Sequence, residues 1–161
     1  MKATIRRPSD AEHDAITDRL LWPAFQAAEA NDPEYSELAD DARQEAGDPT
    51  YWTDHSDRVL FVAERDGNLE GNVTGGLHES PPLYARGPYA NCDGLYVRPE
   101  HRREGIASAL FERFEEWAAD RGAEYVGLSV HVDREPAREF YADRGYEVKF
   151  HTLRKPIRKN H

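Results

Sequence analysis

The segment CDGLYVRPEHRREGIASALFERFEEWAADRGAEYVGLSVHV, residues 92–132, constrains the fold more than any other part of the chain. A short apolar run, CDGLYV, stops at Arg98 and Pro99. A helical pattern follows over residues 104–121, with Ile106, Leu110, Phe114, Trp117 and Ala118 recurring on one face, and Gly122 marks its end. EYVGLSVHV then has the apolar character of an interior strand. Strand, helix and strand in that order make a crossover within a sheet, which requires an α/β or α+β architecture.

The flanking segments extend the same pattern. Residues 3–7, ATIRR, alternate like a short strand, and Pro8, Ser9 and Asp10 read as a turn and helix N-cap. Ile16, Leu20, Leu21 and Phe25 recur at helical spacing. Pro33, Gly47 and Pro49 punctuate a region with one or two short helices around Leu38. From Arg58, two β-rich runs meet at Asp66, Gly67 and Asn68, a strong hairpin signal, and the second run is rich enough in glycine to be bulged or twisted. After the crossover, REPAREFYADR predicts a short helix and GYEVKFHTLRK a final strand or pair. The expectation is one domain over residues 1–161, with a mixed, centrally splayed sheet of about six to seven strands flanked by helices.

Charge narrows the function. The net charge is −10, with seventeen arginines but only four lysines. Such a surface repels nucleic acid and steers cationic small molecules inward. Scarce lysine beside abundant aspartate also suggests adaptation to high salt, in which case molar potassium chloride should raise the unfolding midpoint. One cysteine, Cys92, rules out an internal disulfide framework, so a reducing, cytoplasmic setting is expected. No run is long enough for a membrane span, and the first ten residues lead into charged residues rather than a signal-peptide core.

Against that acidic background, HRREGIAS, residues 101–108, stands out. The first amides of a helix have no internal partners and sit at the positive end of its dipole, so anions bind there. Arg102 and Arg103 beside those amides suit a pyrophosphate, and Gly105 and Ala107 are small enough for phosphate oxygens to reach the backbone. The alternative is two solvated arginines and a loop glycine. Neither a Walker loop nor a dinucleotide fingerprint is present.

With its flanks, LYVRPEHRREGIASAL resembles the acyl-CoA-binding segment of the GNAT N-acetyltransferase superfamily, whose pattern Arg/Gln-x-x-Gly-x-Gly/Ala is met by Arg102, Gly105 and Ala107. AREFYADRGY, residues 137–146, is similar to the family's AxxFYxxxGF. The resemblance implies a sheet that opens between CDGLYV and EYVGLSVHV to admit acetyl-CoA as co-substrate. It implies that the backbone of Leu95, Tyr96 and Val97 pairs with the pantetheine arm. The amides of Arg103, Glu104, Gly105, Ile106, Ala107 and Ser108 would hold the pyrophosphate, while Ala137 and Phe140 line the cofactor's other side. Tyr141 matches the tyrosine that protonates the departing thiolate; the alternative is a core aromatic beside Phe140. Where many members have asparagine near the cofactor, this chain has Arg134, which either reaches a CoA phosphate or faces solvent.

An amine nucleophile must lose its proton before it attacks a thioester, and a carboxylate is the usual recipient. Asp93, where relatives often carry Glu, and Glu79, at the end of the preceding strand beside His78, are the two candidates; each could instead be a solvated strand-end residue. His101, His131 and His151 lack metal-ligand spacing, so no metal is expected. Cys92 reads as a small buried residue rather than a nucleophile.

The implied activity is transfer of the acetyl group of acetyl-CoA to a primary amine of a small molecule or peptide by direct attack in a ternary complex. The competing reading is a catalytically inactive acyl-CoA-binding or sensor module. The acceptor pocket would draw on residues 21–52 and 80–91, which hold Trp22, Phe25, Tyr35, Tyr51, Trp52, Tyr84 and Tyr89. The expected partners are an amine-bearing substrate, with neither nucleic acid nor membrane, and the assembly state is monomer or homodimer.

Overall fold

The computed structural model describes residues 2–34, 36–43 and 47–157. The chain divides into two compact units, Met1–Leu128 and Ser129–His161.

The first unit is built on a sheet of five strands in the order β1 to β5: β1 Thr4–Arg6, β2 Arg58–Arg65, β3 Asn68–His78, β4 Tyr89–Val97 and β5 Val126–Gly127. Neighbours pair antiparallel except β4 and β5, which are parallel. The β2–β3 connection is the hairpin that the sequence predicts. Asp66 and Gly67 both take positive φ, 54° and 81°, the combination that lets a two-residue turn follow the twist of its strands. The parallel step needs a crossover, and α4, Ile106–Asp120, supplies it.

Helices cover both faces. Val59, Phe61, Val73 and Gly75 share one face through their cross-strand pairing, and Phe114 of α4 lies so close to Gly75 that a Cβ there would meet its ring at 2.3 Å. Glycine at this position is what lets the helix settle onto the sheet. Ile106, Leu110, Phe111, Phe114, Trp117 and Ala118 are all buried, so the predicted stripe is the buried stripe with Phe111 added. Each large side chain in it contributes about 1.5–3 kcal/mol through burial. On the other face, Leu60, Val62 and Leu69 pack with Ile16, Leu20 and Leu21. These last three come from a helical stretch comprising the 3-10 turn Asp10–Glu12, α1 His13–Ile16, a π turn Thr17–Leu21 and α2 Trp22–Asn31. It starts at Ser9, whose main-chain N–H and hydroxyl both donate to the Glu12 carboxylate, at 2.9 and 3.2 Å. Leu38 is not helical; its N–H donates to Glu29 at 2.7 Å, and among the described residues the region is helical at residues 42–43 and in α3, Thr50–Thr53.

Two β-bulges break the strand alternation. Glu64 pairs with Leu69 but Ala63 with Gly71, so Glu70 is an extra residue on β3. Thr74 pairs with Gly94 but Gly75 with Cys92, so Asp93 is an extra residue on β4.

In the second unit, α5 spans Glu135–Asp143. Two expectations fail here. EYVGLSVHV forms a strand only at Val126–Gly127, and residues 146–157 form none among those described. The sheet therefore has five strands rather than six or seven. Alternation is a pattern of one segment, whereas a strand exists only with a partner. Val148, Phe150 and Leu153 are 75–90 % exposed, so within this unit no second extended segment gives them one.

Candidate active site

The loop after β4 leads through the 3-10 turn Pro99–His101 to Gly105, the N-cap of α4. Arg103 and Gly105 both adopt left-handed backbone, φ 66° and 84°. Glycine does so freely, whereas arginine is uncommon there. The cap has no side-chain oxygen and the first turn, with Ile106, Ala107 and Ser108, has no acidic residue. Its leading amides thus have no intrahelical partner and, among the described residues, no side-chain cap, with the helix dipole behind them.

The two arginines differ. Arg102 folds back, its Nε donating to Val97 O at 3.0 Å and its guanidinium standing 5.8 Å from the Tyr96 ring centre. Arg103 is exposed and forms no ion pair among the described residues. Glu104 is bound by Arg65, Nη2 to Oε1 2.6 Å, and this hydrogen bond lowers its pKa.

Leu95, Tyr96 and Val97 pair with Val73, Asn72 and Gly71 on one edge of β4. On the other edge, pairing with β5 covers only Ala90–Val126 and Asn91–Gly127. Beyond Asn91 that edge has no strand partner among the described residues, which leaves main-chain donors and acceptors for an extended chain to meet. The Asp93 bulge sits where the pairing stops.

Asp93 is exposed, and both carboxylate oxygens accept from neutral donors: Trp52 Nε1 to Oδ2 at 2.9 Å and Asn91 Nδ2 to Oδ1 at 3.0 Å. Glu79 is also exposed, past the end of β3. It lies four residues beyond Gly75, which flanks the bulge across the ladder, so roughly 14 Å of strand rise separates the two candidates. Next to Glu79, His78 stacks on Tyr89 at 5.4 Å and Tyr89 on Tyr125 at 5.1 Å. Tyr51 and Tyr84, each about half exposed, are already covered by Arg58 and Arg86, at 4.0 and 4.6 Å. Tyr35 lies outside the described residues. Burial pushes the Cys92 thiol up to about 12, which suits a packing residue and not a nucleophile.

Sequence spacing gave no hint of one group. Glu70, His101 and Glu104 bring ligand-type atoms within 4.8 Å of one another. Arg65 stands on both carboxylates, with Nε 3.1 Å from Glu70 Oε2, so a positive charge from the chain already occupies the cluster.

In the second unit, Ala137, Phe140 and Tyr141 form a half-buried face of α5. Tyr141 meets Phe140 edge-on at 5.2 Å and Tyr146 at 6.0 Å, so it does pack as an aromatic neighbour of Phe140. Arg134 is the exposed N-cap.

Among the described residues, no helix is long and apolar enough to cross a membrane. The Acetyltransferase (GNAT) family model matches residues 17–146. Acetyl transferase GW6a of Oryza sativa subsp. japonica is 36 % identical over 97 residues, covering 54 % of this chain and 23 % of the rice protein. Acetyltransferase SG1711 of Sodalis glossinidius (strain morsitans) is 30 % identical over 97 residues, covering 59 % of this chain and 61 % of the other. The chain thus spans less than two thirds of the length of either relative. Among solved structures, AAC(6')-Iy in complex with the bisubstrate analog CoA-S-monomethyl-acetylneamine superposes with a TM-score of 0.73 at 17 % identity, covering 99 % of this chain and 100 % of that one. A putative acetyl transferase from Pyrococcus furiosus gives a TM-score of 0.75 at 24 % identity, covering 97 % and 100 %. With the family model spanning most of its length and an uncapped helix start following a half-paired strand, the chain belongs to the GNAT acetyltransferase family.

Proposed function

We propose that this protein transfers the acetyl group of acetyl-CoA to a primary amine of a small molecule or peptide, by direct attack with both substrates bound. The observation that carries the reading is the coincidence, within one strand–loop–helix, of a β4 edge without a strand partner beyond Asn91 and an uncapped helix start, both among the described residues. An extended arm ending in a diphosphate matches both parts at once. The amides of residues 103–108 hold the diphosphate and Arg103 adds charge, while Arg102 braces the end of β4. Leu95, Tyr96 and Val97 offer backbone groups to the pantetheine amides.

The chemistry follows from the residues at hand. Asp93, or a water that it holds, takes the proton that the attacking ammonium must lose. A main-chain N–H freed at the β4 bulge polarises the thioester carbonyl and stabilises the charge that grows on its oxygen. As the new C–N bond forms and the C–S bond breaks, Tyr141 gives its phenolic proton to the thiolate. Glu79 is the less suitable base, since it lies beyond the end of β3 and away from the bulge. The acidic surface and the aminoglycoside acetyltransferases among the structural neighbours both favour a cationic amine as acceptor.

The test is thiol release from acetyl-CoA against a panel of amines, with Tyr141→Phe as the control. Catalysis predicts a fall in turnover of roughly 100-fold or more with CoA affinity unchanged. Tight CoA binding with no turnover on any amine would instead favour the sensor reading.

A further inference from the structure

We infer that Glu70, the extra residue of the β3 bulge, is a positioning residue that holds the loop between β4 and α4 in its anion-binding form, acting through Arg65 and His101. The inference rests on the reading that this loop carries the diphosphate of acetyl-CoA.

Three ties converge on Glu70. At the loop's entrance, Arg98 N donates to the Glu70 main-chain oxygen at 2.9 Å. In its middle, His101 Nδ1 lies 3.4 Å from Glu70 Oε2. At its exit, Arg65 donates through Nε to Glu70 Oε2 at 3.1 Å and through Nη2 to Glu104 Oε1 at 2.6 Å. Glu104 directly precedes Gly105 and the free amides of α4. One residue, its side chain 3 % exposed, therefore anchors both ends and the middle of a loop in which Arg103 must keep an uncommon left-handed conformation.

The bulge explains how an acid comes to be there. Regular alternation would give residue 70 the face opposite its neighbours, and the extra residue re-aims that side chain and lets the ladder resume in a new register. Burying a carboxylate is unfavourable unless it is paired, and Glu70 Oε1 accepts no hydrogen bond among the described residues. Arg65 compensates the charge, which makes the pair a fixed strut rather than a vacant cation site.

The sign of one experiment separates a strut from a bystander. Glu104 flanks the proposed diphosphate, so as a bystander its negative charge opposes binding and Glu104→Gln should tighten CoA. As the tether's end it should do the reverse. We expect Glu104→Gln and Arg65→Gln each to weaken CoA roughly 10-fold in calorimetry. The double variant should be no weaker than Arg65→Gln alone, because both cut the same link. Arg65→Lys, which reaches one carboxylate at a time, should recover part of the loss. For Arg65→Gln, kcat/KM should fall with acetyl-CoA and hold with S-acetylpantetheine, which lacks the diphosphate; a general loss of structure would lower both. Glu104→Gln leaves the buried Arg65–Glu70 pair intact and keeps the measurement open if Arg65 variants fold poorly. Unchanged or tighter CoA binding in Glu104→Gln overturns the inference while the functional reading stands. Absence of heat with CoA in the unaltered protein overturns both.

Discussion

The two bulges use one backbone device to opposite ends. Each inserts an acidic residue into a strand of the same sheet, Glu70 on β3 and Asp93 on β4. Glu70 turns inward to 3 % exposure and meets a guanidinium, Arg65 at 3.1 Å, and an imidazole, His101 at 3.4 Å. Asp93 stays exposed and meets an indole and an amide. A carboxylate clamped by a guanidinium is costly to disturb, because its charge is compensated only by that partner. One oriented by neutral donors keeps its direction while its charge still faces solvent. The contrast teaches that the partners around a bulge, more than the bulge, decide whether an acid is buried and ion-paired or left exposed and oriented.

Substitutions at the two positions should therefore separate stability from turnover. Glu70→Ala should have the largest effect, about 3–5 kcal/mol of stability by denaturant unfolding, because it strands Arg65 beside Glu104 alone and empties a buried site. Asp93→Asn should lower turnover roughly 100-fold, about 2.7 kcal/mol of barrier, with a melting temperature close to that of the parent. If Asp93→Asn instead destabilised the fold as much as Glu70→Ala, the contrast would be wrong. Trp52→Phe keeps an aromatic ring and removes the Nε1 donor to Asp93; a loss of turnover of roughly 5-fold, about 1 kcal/mol, is expected.

A third carboxylate calibrates the comparison with the smallest effect. The Arg6 hydrogen bond pulls Glu12 down to about 2 from its ordinary value of 4.5. Because the folded value is the lower one, the stabilisation is complete above about pH 4.5 and is lost as pH falls toward 2. Glu12→Gln should remove about 1 kcal/mol at neutral pH and flatten the acid limb of a pH–stability curve, with no effect on turnover at about pH 7.

Much of the first unit was legible because its signals are local. Asp66–Gly67 specify a turn, Ser9 and Glu12 a helix start, and the stripe from Ile106 to Ala118 a buried face. The uncapped start of α4 was legible for the same reason: it follows from helix geometry and a glycine cap. Glu70 escaped notice because LEGNV reads as ordinary alternation until its register against Arg58–Arg65 is known. Asp93 is a candidate through resemblance alone, and the bulge that exposes it shows only in the register of β3 against β4. The grouping of His101 with two acids joins β3 to a loop about thirty residues away, a distance that no sequence window covers.

The sequence by itself determined the hairpin, the crossover helix and the small-residue loop that precedes it, since each depends on contacts within a turn or two of chain. Only the tertiary structure decided which acids leave the strand alternation, which partners reach them, where β4 loses its neighbour and that residues 146–157 have no partner strand among the described residues of their unit. Those are properties of pairs of segments. A strand edge, a bulge and a buried charge have no meaning until a second piece of chain lies against the first.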